Sequence, residues 1–343
     1  MSWEWSQPDL ISLEQFLVSR GLCDGPITVK RIGDGHSNLT YLVNGGPESM
    51  VVRRGPPPPV PRGAHDMMRE AKLLAALGAT DIPVPRVLAV GRAGEVIDVP
   101  FYVMSYCQGH VLTTATPAPL DNPQERRRIG EALIDTLIAI HAVDWRSVGL
   151  QDIGRPDGFN RRHLSRMRHL IADSSGMISP TFRVVESWLE KKIPLESGAS
   201  IVHNDFRLGN VILAPDAPAR ILAVVDWELA TIGDPLFDLG YFLTSYPEPG
   251  DELTPTMALG SAQLEPGYPT RGELVERYAK LTGNDLSNLD WYRVLASWKL
   301  AVLYEYGRRR ADDGSGDSYY ADQSLVDGFL SAALRIMETS PTS

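Results

Sequence analysis

The stretch HNDFRLGN at 203–210 sets His203, Asp205 and Asn210 in the pattern HxDxxxxN, and a further aspartate, Asp226, ends the apolar run ILAVVD sixteen positions after Asn210. Transfer of a phosphoryl group to a hydroxyl needs few protein parts. One is a carboxylate that orients the attacking hydroxyl; the others are oxygen ligands for a Mg²⁺ ion bridging the phosphates. Asp205 is the candidate base, while Asn210 and Asp226 offer the amide and carboxylate oxygens a hard cation prefers. An Asp and an Asn after a strand can equally do no more than shape a turn. The strand-terminal Asp226 placed downstream favours the chemical reading. His203 is expected to be a packed, hydrogen-bonded support rather than a proton shuttle.

Upstream, GDGHSN lies between two apolar strands, and glycine lets a backbone approach phosphates closely and adopt positive φ. Gly33, Gly35, Ser37 and Asn38 are therefore candidates to cradle ATP, although Gly-Asp-Gly also makes an ordinary hairpin turn. Order along the chain strengthens the case. A Gly-rich hairpin, a basic residue in the next strand (Arg53), a glutamate in the following helix (Glu70) and then the acidic loop is the sequence of parts a kinase lobe requires.

These residues need elements to hold them. Ser12 and Gln15 have capping-box spacing, which predicts a short opening helix that stops near Gly21. TVKRI, LTYLV and SMVVRR then read as an antiparallel meander, and the proline run at 55–63 leads to a helix in MMREAKLLAAL that ends at Gly78. RVLAVG and FYVMSY supply two more strands. From Gly109 onward long helices dominate, the clearest opening at Asn122–Pro123, with Ile129, Leu133, Leu137 and Ile140 as its buried stripe. His141 on that helix reads as a core or helix-end histidine. Asp234–Pro235 opens another helix, and Asp238 one turn in reads as a buried brace for the acidic loop. The organisation predicted is α+β: an N-terminal lobe over 1–104, a hinge at 105–109 and a helical C-terminal lobe over 110–343.

Composition excludes several classes. The 343 residues are 43% hydrophobic and 22% charged, without an apolar run near the ~18 residues of a membrane span. The N-terminus has no signal or transit pattern, so a soluble, cytoplasmic protein is expected. A net charge of −10 argues against an extended nucleic-acid or membrane surface. Cys23 and Cys107 form neither a disulfide framework nor a thiolate zinc pattern. No Gly-Lys pair of a P-loop, HExxH or GxSxG occurs, which disfavours P-loop NTPases and hydrolases.

The stretches RIGDGHSNLTYLV, VVRRGPPPP, HDMMREAKLLAAL, PFYVMSYCQG, LIDTLIAIHAVD and HNDFRLGNVILAP through VVDWELATIGDPLFDLGY resemble the aminoglycoside phosphotransferase family. That family lies within the protein-kinase-like enzymes that include choline kinases. Similarity is greatest to the branch of kinase-like domains associated with acyl-CoA dehydrogenases. The resemblance spans about residues 25–310. It implies a two-lobed protein-kinase-like fold with a small antiparallel-sheet lobe and a larger helical one, ATP between the lobes, and an acceptor over the helical lobe. By position it implies that Asp205 is the catalytic aspartate, Asn210 and Asp226 the magnesium ligands, and Arg207 the cation near the γ-phosphate. Ser105, Tyr106 and Cys107 would meet adenine through their backbone, and Glu70 would anchor Arg53. Three departures stand out: Arg53 where many kinases have lysine, Asn204 in place of a glycine, and Trp227–Glu228 in place of the Phe-Gly of a DFG motif.

FNRRHLSRMRHL at 159–170 carries Arg161, Arg162, Arg166 and Arg168 without an acid, and Arg162, Arg166 and His169 share a helical face. Such a face can simply be solvated. It can also wall an anionic acceptor such as a hydroxyacyl-CoA, whereas an aminoglycoside, being a polycation, calls for carboxylates. The expected activity is ATP- and Mg²⁺-dependent phosphorylation of a small-molecule hydroxyl, with an aminoglycoside phosphotransferase proper and a nucleotide-binding pseudokinase module as the competing readings.

Overall fold

Leu39, Tyr41 and Val43 are buried while the residues between them are half-exposed, the period-two pattern of a strand with one covered face. The computed structural model describes residues 5–33, 38–56, 66–172 and 179–340. Five antiparallel strands, β1 (Thr28–Arg31), β2 (Leu39–Asn44), β3 (Met50–Arg54), β4 (Val87–Gly91) and β5 (Phe101–Ser105), lie side by side in the order β1-β2-β3-β5-β4. One face of this sheet is sealed by α1 (Gln7–Ser19), whose Leu13, Phe16 and Leu17 cluster with Cys23, Val43, Val52, Phe101 and Val103. Strand residues of the opposite parity, Val51, Arg53, Tyr102 and Met104, therefore turn to the other face, on the side of α2 (Met67–Leu77). The pairing sets Arg53 directly across from Tyr102.

The opening helix starts earlier than the capping-box spacing of Ser12 predicts. Its cap is Ser6, whose hydroxyl oxygen accepts from the Asp9 N–H at 3.3 Å, with Pro8 in the first turn. The chain leaves the helix at Gly21, where φ is +67°. Residues up to Gln108 form one compact unit, which also includes Leu222–Glu228. That returning segment is tied in by the Val224 N–H donating to the Pro83 carbonyl at 2.7 Å and by the fully buried Trp227 ring.

The second unit, Gly109–Ile221 with Leu229–Ser343, is mostly helical. In chain order its helices are α3 (Pro123–Ala142), α4 (Phe159–Ile171), α5 (Pro180–Lys191), α6 (Pro235–Ser245), α7 (Pro255–Ala258), α8 (Arg271–Thr282), α9 (Leu289–Asp312) and α10 (Gln323–Thr339). Short strands β6 (Ser200–Val202) and β9 (Thr231–Gly233) pair antiparallel, and β7 (Val211–Leu213) precedes β8 (Ile221–Val224), most of which belongs to the first unit. Asn122 caps α3 as its sequence predicts, and Ile129, Leu133, Leu137 and Ile140 are completely buried. α9 packs against α4, α5, α6 and α10, so it is apolar through most of its circumference.

Every residue of α6 is buried, which puts weight on its cap. Asp234 accepts from the Leu236 N–H at 3.0 Å, the Ser197 N–H at 2.8 Å, the Ser197 hydroxyl at 2.6 Å and the Tyr292 hydroxyl at 2.6 Å. Removing the carboxylate takes the acceptor from two buried donors, the Leu236 N–H and the Tyr292 hydroxyl, and from the exposed Ser197. Asp234→Ala is expected to lower the free energy of unfolding by about 2–5 kcal/mol, measured by urea denaturation; a change below about 1 kcal/mol would contradict this account of α6.

Candidate active site

β6 ends at Val202, and the next two peptide N–H groups, of His203 and Asn204, both donate to the carboxylate of Asp238 in the first turn of α6. Asn204 has φ +67°, in the left-handed region where asparagine is tolerated better than most residues. This explains an asparagine at a position where a glycine is common. Its side-chain amide donates to the Leu229 carbonyl at 2.8 Å, and its own carbonyl accepts from Nζ of Lys299 at 2.6 Å. His203 is completely buried, and its Nδ1 accepts from the Asp205 N–H at 3.2 Å. It is a support, as its sequence position suggests.

Asp205 emerges from this turn with both carboxylate oxygens engaged. The Tyr241 hydroxyl donates to Oδ1 at 2.6 Å and Nδ2 of Asn210 to Oδ2 at 2.8 Å, while Nε of Arg207 lies 3.5 Å from Oδ1. Burial, and then the negative charge of Asp205, hold the pKa of Tyr241 well above its ordinary value, so this phenol stays a donor. Nδ2 of Asn210 also donates to the Asp205 carbonyl at 2.8 Å. The amide is thereby oriented with its nitrogen toward Asp205. The Arg207 guanidinium folds over Gly209, where a Cβ would stand 2.4 Å from Nη1, so a side chain there would displace it.

The first unit carries a second charged cluster. Arg53, on the sheet face opposite α1, makes an ion pair with Glu70 (Nε to Oε2, 3.2 Å) and hydrogen-bonds to Asp226. The Nε–Oε2 contact is an ion pair only, without hydrogen-bond alignment. Glu70, 2% exposed, accepts from the Trp227 N–H at Oε1, at 3.2 Å. Burial works against the charge on Arg53, but Glu70 and Asp226 outweigh it and raise its pKa. Burial pushes the Glu70 carboxyl up, with Arg53 pulling it back down. Asp226 itself has φ +67°, a left-handed conformation unusual outside glycine and asparagine.

Other predicted positions fall as follows. Gly33 has φ +74° after β1, in the left-handed region that favours glycine. Gly35 and Ser37 lie outside the described residues. The side chain of Asn38 is buried and donates to Glu228. Ser105 and Tyr106 spend their N–H groups on the carbonyls of Arg86 (2.9 Å) and Ser49 (3.3 Å), so the Cys107 amide is the one of the three without a protein acceptor. Trp227, fully buried with Nε1 bonded to the Val224 carbonyl at 2.9 Å, is a fixed anchor.

In the arginine-rich helix α4, two of the four guanidinium groups are engaged within the second unit. Arg162 is not a free anion donor: its guanidinium binds the carbonyls of Arg155 and Asp157. Arg168 pairs with Glu186 and Glu190, acids that α5 brings to a helix with none of its own. Arg161 and Arg166 remain exposed. Arg166 acts electrostatically on Lys299, as does Asp205.

Lys299 and Tyr241 were not among the predicted site residues, nor were Tyr102 and Glu228. For Lys299 a signal exists: a lone cation inside SWKLAVL, in a helix that must be buried, needs a partner. Tyr241 and Tyr102 had none, since an aromatic among apolar residues looks like core.

Among the described residues no cluster of three or more His, Cys, Asp or Glu side chains could hold a metal. Asn210 in the second unit and Asp226 in the first each carry an oxygen of the kind a hard cation prefers.

A carboxylate clamped in a loop after a short strand, and a buried Arg–Glu pair on a five-stranded antiparallel sheet, are the parts of a protein-kinase-like phosphotransferase fold. A Ralstonia eutropha protein described as an aminoglycoside phosphotransferase has the same fold, with a TM-score of 0.78, 27% identity, and coverage of 97% of this chain and 99% of that one. A thermostable mutant of aminoglycoside phosphotransferase APH(4)-Ia, solved with AMP-PNP and hygromycin B, matches with a TM-score of 0.61 and 18% identity over 95% of this chain and 98% of that one. The chain belongs to the phosphotransferase enzyme family APH, which residues 28–277 match. It is also similar to acyl-CoA dehydrogenase family member 11 of Rattus norvegicus, 31% identical over 325 residues that cover 92% of this chain and 41% of that protein. The chain thus spans about two fifths of the length of that relative.

The Arg53–Glu70 pair yields a test with a defined sign. In Arg53→Met the buried Glu70 loses its counter-charge and its pKa rises further above the unfolded value. A raised carboxyl pKa means stability present at low pH and lost as pH rises through the folded value. The variant should lose about 3–5 kcal/mol at pH 8 and distinctly less at pH 5, read by urea denaturation at both pH values; an equal loss at both would refute the burial of an unpaired Glu70.

Proposed function

We propose that the chain is an ATP- and Mg²⁺-dependent small-molecule kinase that transfers the γ-phosphate to a hydroxyl, with an anionic acceptor such as a hydroxyacyl-CoA. The observation that carries the reading is the Asp205 carboxylate, held by Tyr241 and Asn210 in a turn braced by Asp238. A carboxylate held this way can accept a hydrogen bond from an alcohol at a fixed angle. Because the transition state of phosphoryl transfer is loose, orientation of the attacking oxygen counts for more than proton removal, and Asp205 takes up the proton as the new bond forms. Arg207 and Arg53 would bear on the transferring and leaving phosphates. Gly33 and its turn would cradle them, and the free Cys107 amide would meet the adenine edge. Asn210 and Asp226 would hold Mg²⁺, whose contribution is to neutralise charge on the phosphate oxygens.

The acceptor class rests on charge. Arg166 is exposed, acts on Lys299, and has no acid paired to it among the described residues. A polycationic aminoglycoside would be repelled there, whereas the phosphates of a coenzyme A thioester would gain charge-assisted bonds. The likeness to a protein named as an acyl-CoA dehydrogenase supports the same class. An aminoglycoside acceptor, or a pseudokinase that binds nucleotide without transfer, is the competing outcome.

The test is ADP release with MgATP against a panel of hydroxyacyl-CoAs, free hydroxy acids and aminoglycosides. Asp205→Asn should lower turnover by ~10²-fold or more and leave nucleotide affinity nearly intact. Asp226→Ala should weaken MgATP binding as well as turnover. For the acceptor, Arg166→Ala should raise KM severalfold, more at low salt, while Arg162→Ala should change it little. Efficient phosphorylation of aminoglycosides, indifferent to Arg166, would overturn the acceptor class; wild-type turnover in Asp205→Asn would overturn the kinase.

A further inference from the structure

We propose that Lys299 is a positioning residue for phosphoryl transfer, pinning the peptide plane that presents Asp205; the proposal rests on Asp205 being the base. Lys299 lies in the middle of α9 and is 4% exposed. Its Nζ donates to the Asn204 carbonyl at 2.6 Å, and the same ammonium lies 5.2 Å from the ring centroid of Phe237 and 4.8 Å from that of Tyr241.

The peptide bond between Asn204 and Asp205 is planar, so fixing both its polar ends fixes the direction in which the chain enters Asp205. Lys299 holds the carbonyl end. His203 Nδ1 holds the N–H end, at 3.2 Å. The Tyr241 ring beneath the ammonium is also the one whose hydroxyl grips Asp205 Oδ1 at 2.6 Å. One cation therefore touches both supports of the carboxylate, the turn before it and the phenol beside it.

A buried ammonium is an expensive way to fill this space. A Met or Leu of similar volume would pack among Phe237, Tyr241 and the helix without desolvating a charge. Keeping the charge where it costs stability, next to a functional turn, is the pattern expected of a residue retained for activity. The charged and titratable groups facing Lys299 are Asp205 from the loop, Asp238 and Tyr241 from α6, and Arg166 and His163 from α4. Burial, as the largest influence, brings the Lys299 pKa down to about 8, against the pull of Asp205 and Asp238. His163 is kept neutral by burial and by the two cations beside it. Loss of the Lys299 proton weakens a charge-assisted bond without breaking the fold.

The experiment uses the full chain with MgATP and the best acceptor of the panel, or water where none is turned over, read as ADP release. In Lys299→Met, kcat is expected to fall about 10- to 100-fold, the cost of a misplaced reacting group, while the KM for MgATP stays within about threefold. Wild-type kcat should decline as pH rises through about 8, and Lys299→Arg, which stays charged, should move that decline to higher pH. A merely structural lysine would shift stability and leave this alkaline limb in place. A kcat within about threefold of wild type in Lys299→Met overturns the proposal. Should that variant not fold, a wild-type kcat that stays flat from about pH 7 to 9.5, or a limb unmoved by Lys299→Arg, overturns it. Asp205→Asn, run alongside, separates the two failures: if it is inactive while Lys299→Met is not, the positioning role fails alone, and if it is fully active, the kinase reading fails.

Discussion

Two successive peptide N–H groups, those of His203 and Asn204, end on one completely buried carboxylate, Asp238. Backbone donors at the end of a short strand have no ladder partner and no water, so an acceptor must be brought to them. α6 brings it, and α6 can do so only because Asp234 fixes its first turn against Ser197 and Tyr292. The left-handed turn at Asn204, the exit of Asp205 and the reach of Asn210 back to it all follow from that one acceptor. Sequence distance is no obstacle, since the separation of 34 positions from Asn204 to Asp238 is spanned by short strands and turns that return the chain to the loop at α6.

In the first unit the corresponding constraint is electrostatic. Arg53 and Glu70 are both taken out of water, and a buried charge is tolerable only with a counter-charge and hydrogen bonds to its remaining atoms. Strand register sets Arg53 opposite Tyr102, and the returning segment contributes the Trp227 N–H to Glu70 and the Asp226 carboxylate to Arg53. An arginine suits this position better than the lysine common in kinases because its fork can face two carboxylates at once. The phenylalanine and glycine of a DFG motif give way to a tryptophan that is wholly buried and a glutamate that engages Asn38, so the segment after Asp226 is anchored at both residues.

The five strands of the large sheet, α2, α3 and the cap of α6 were legible in the sequence because each carries its own period or its own cap, and the APH family and its kinase-like fold were legible from the HxDxxxxN segment and the order of motifs. The first helix was misread at its start since Ser12-x-x-Gln15 imitates a capping box, while the true cap, Ser6, sits in a polar stretch before Pro8 that looks like a tail. The partners of the α4 arginines were hidden for a different reason. A helix without acids gives no hint that α5 will deliver Glu186 and Glu190 to Arg168, or that Arg162 will turn to carbonyls in its own preceding loop. Tyr241 and Lys299 were missed because their roles are defined only by what folding places beside them.

The net charge of −10 and the cations around Asp205 act over different distances. At physiological ionic strength charges more than about 8 Å apart in solvent are largely screened, so the acidic surface as a whole does little to a substrate already seated. A unit charge at ~4 Å, with an effective dielectric constant near 20, is worth about 4 kcal/mol before desolvation. Arg207 beside Asp205, and Lys299 with Arg166 acting on it, are therefore the cations whose charge counts most around this carboxylate. Asp238 and Asp205 balance part of that positive charge, but both are already engaged by donors of the fold, whereas Arg166 is not.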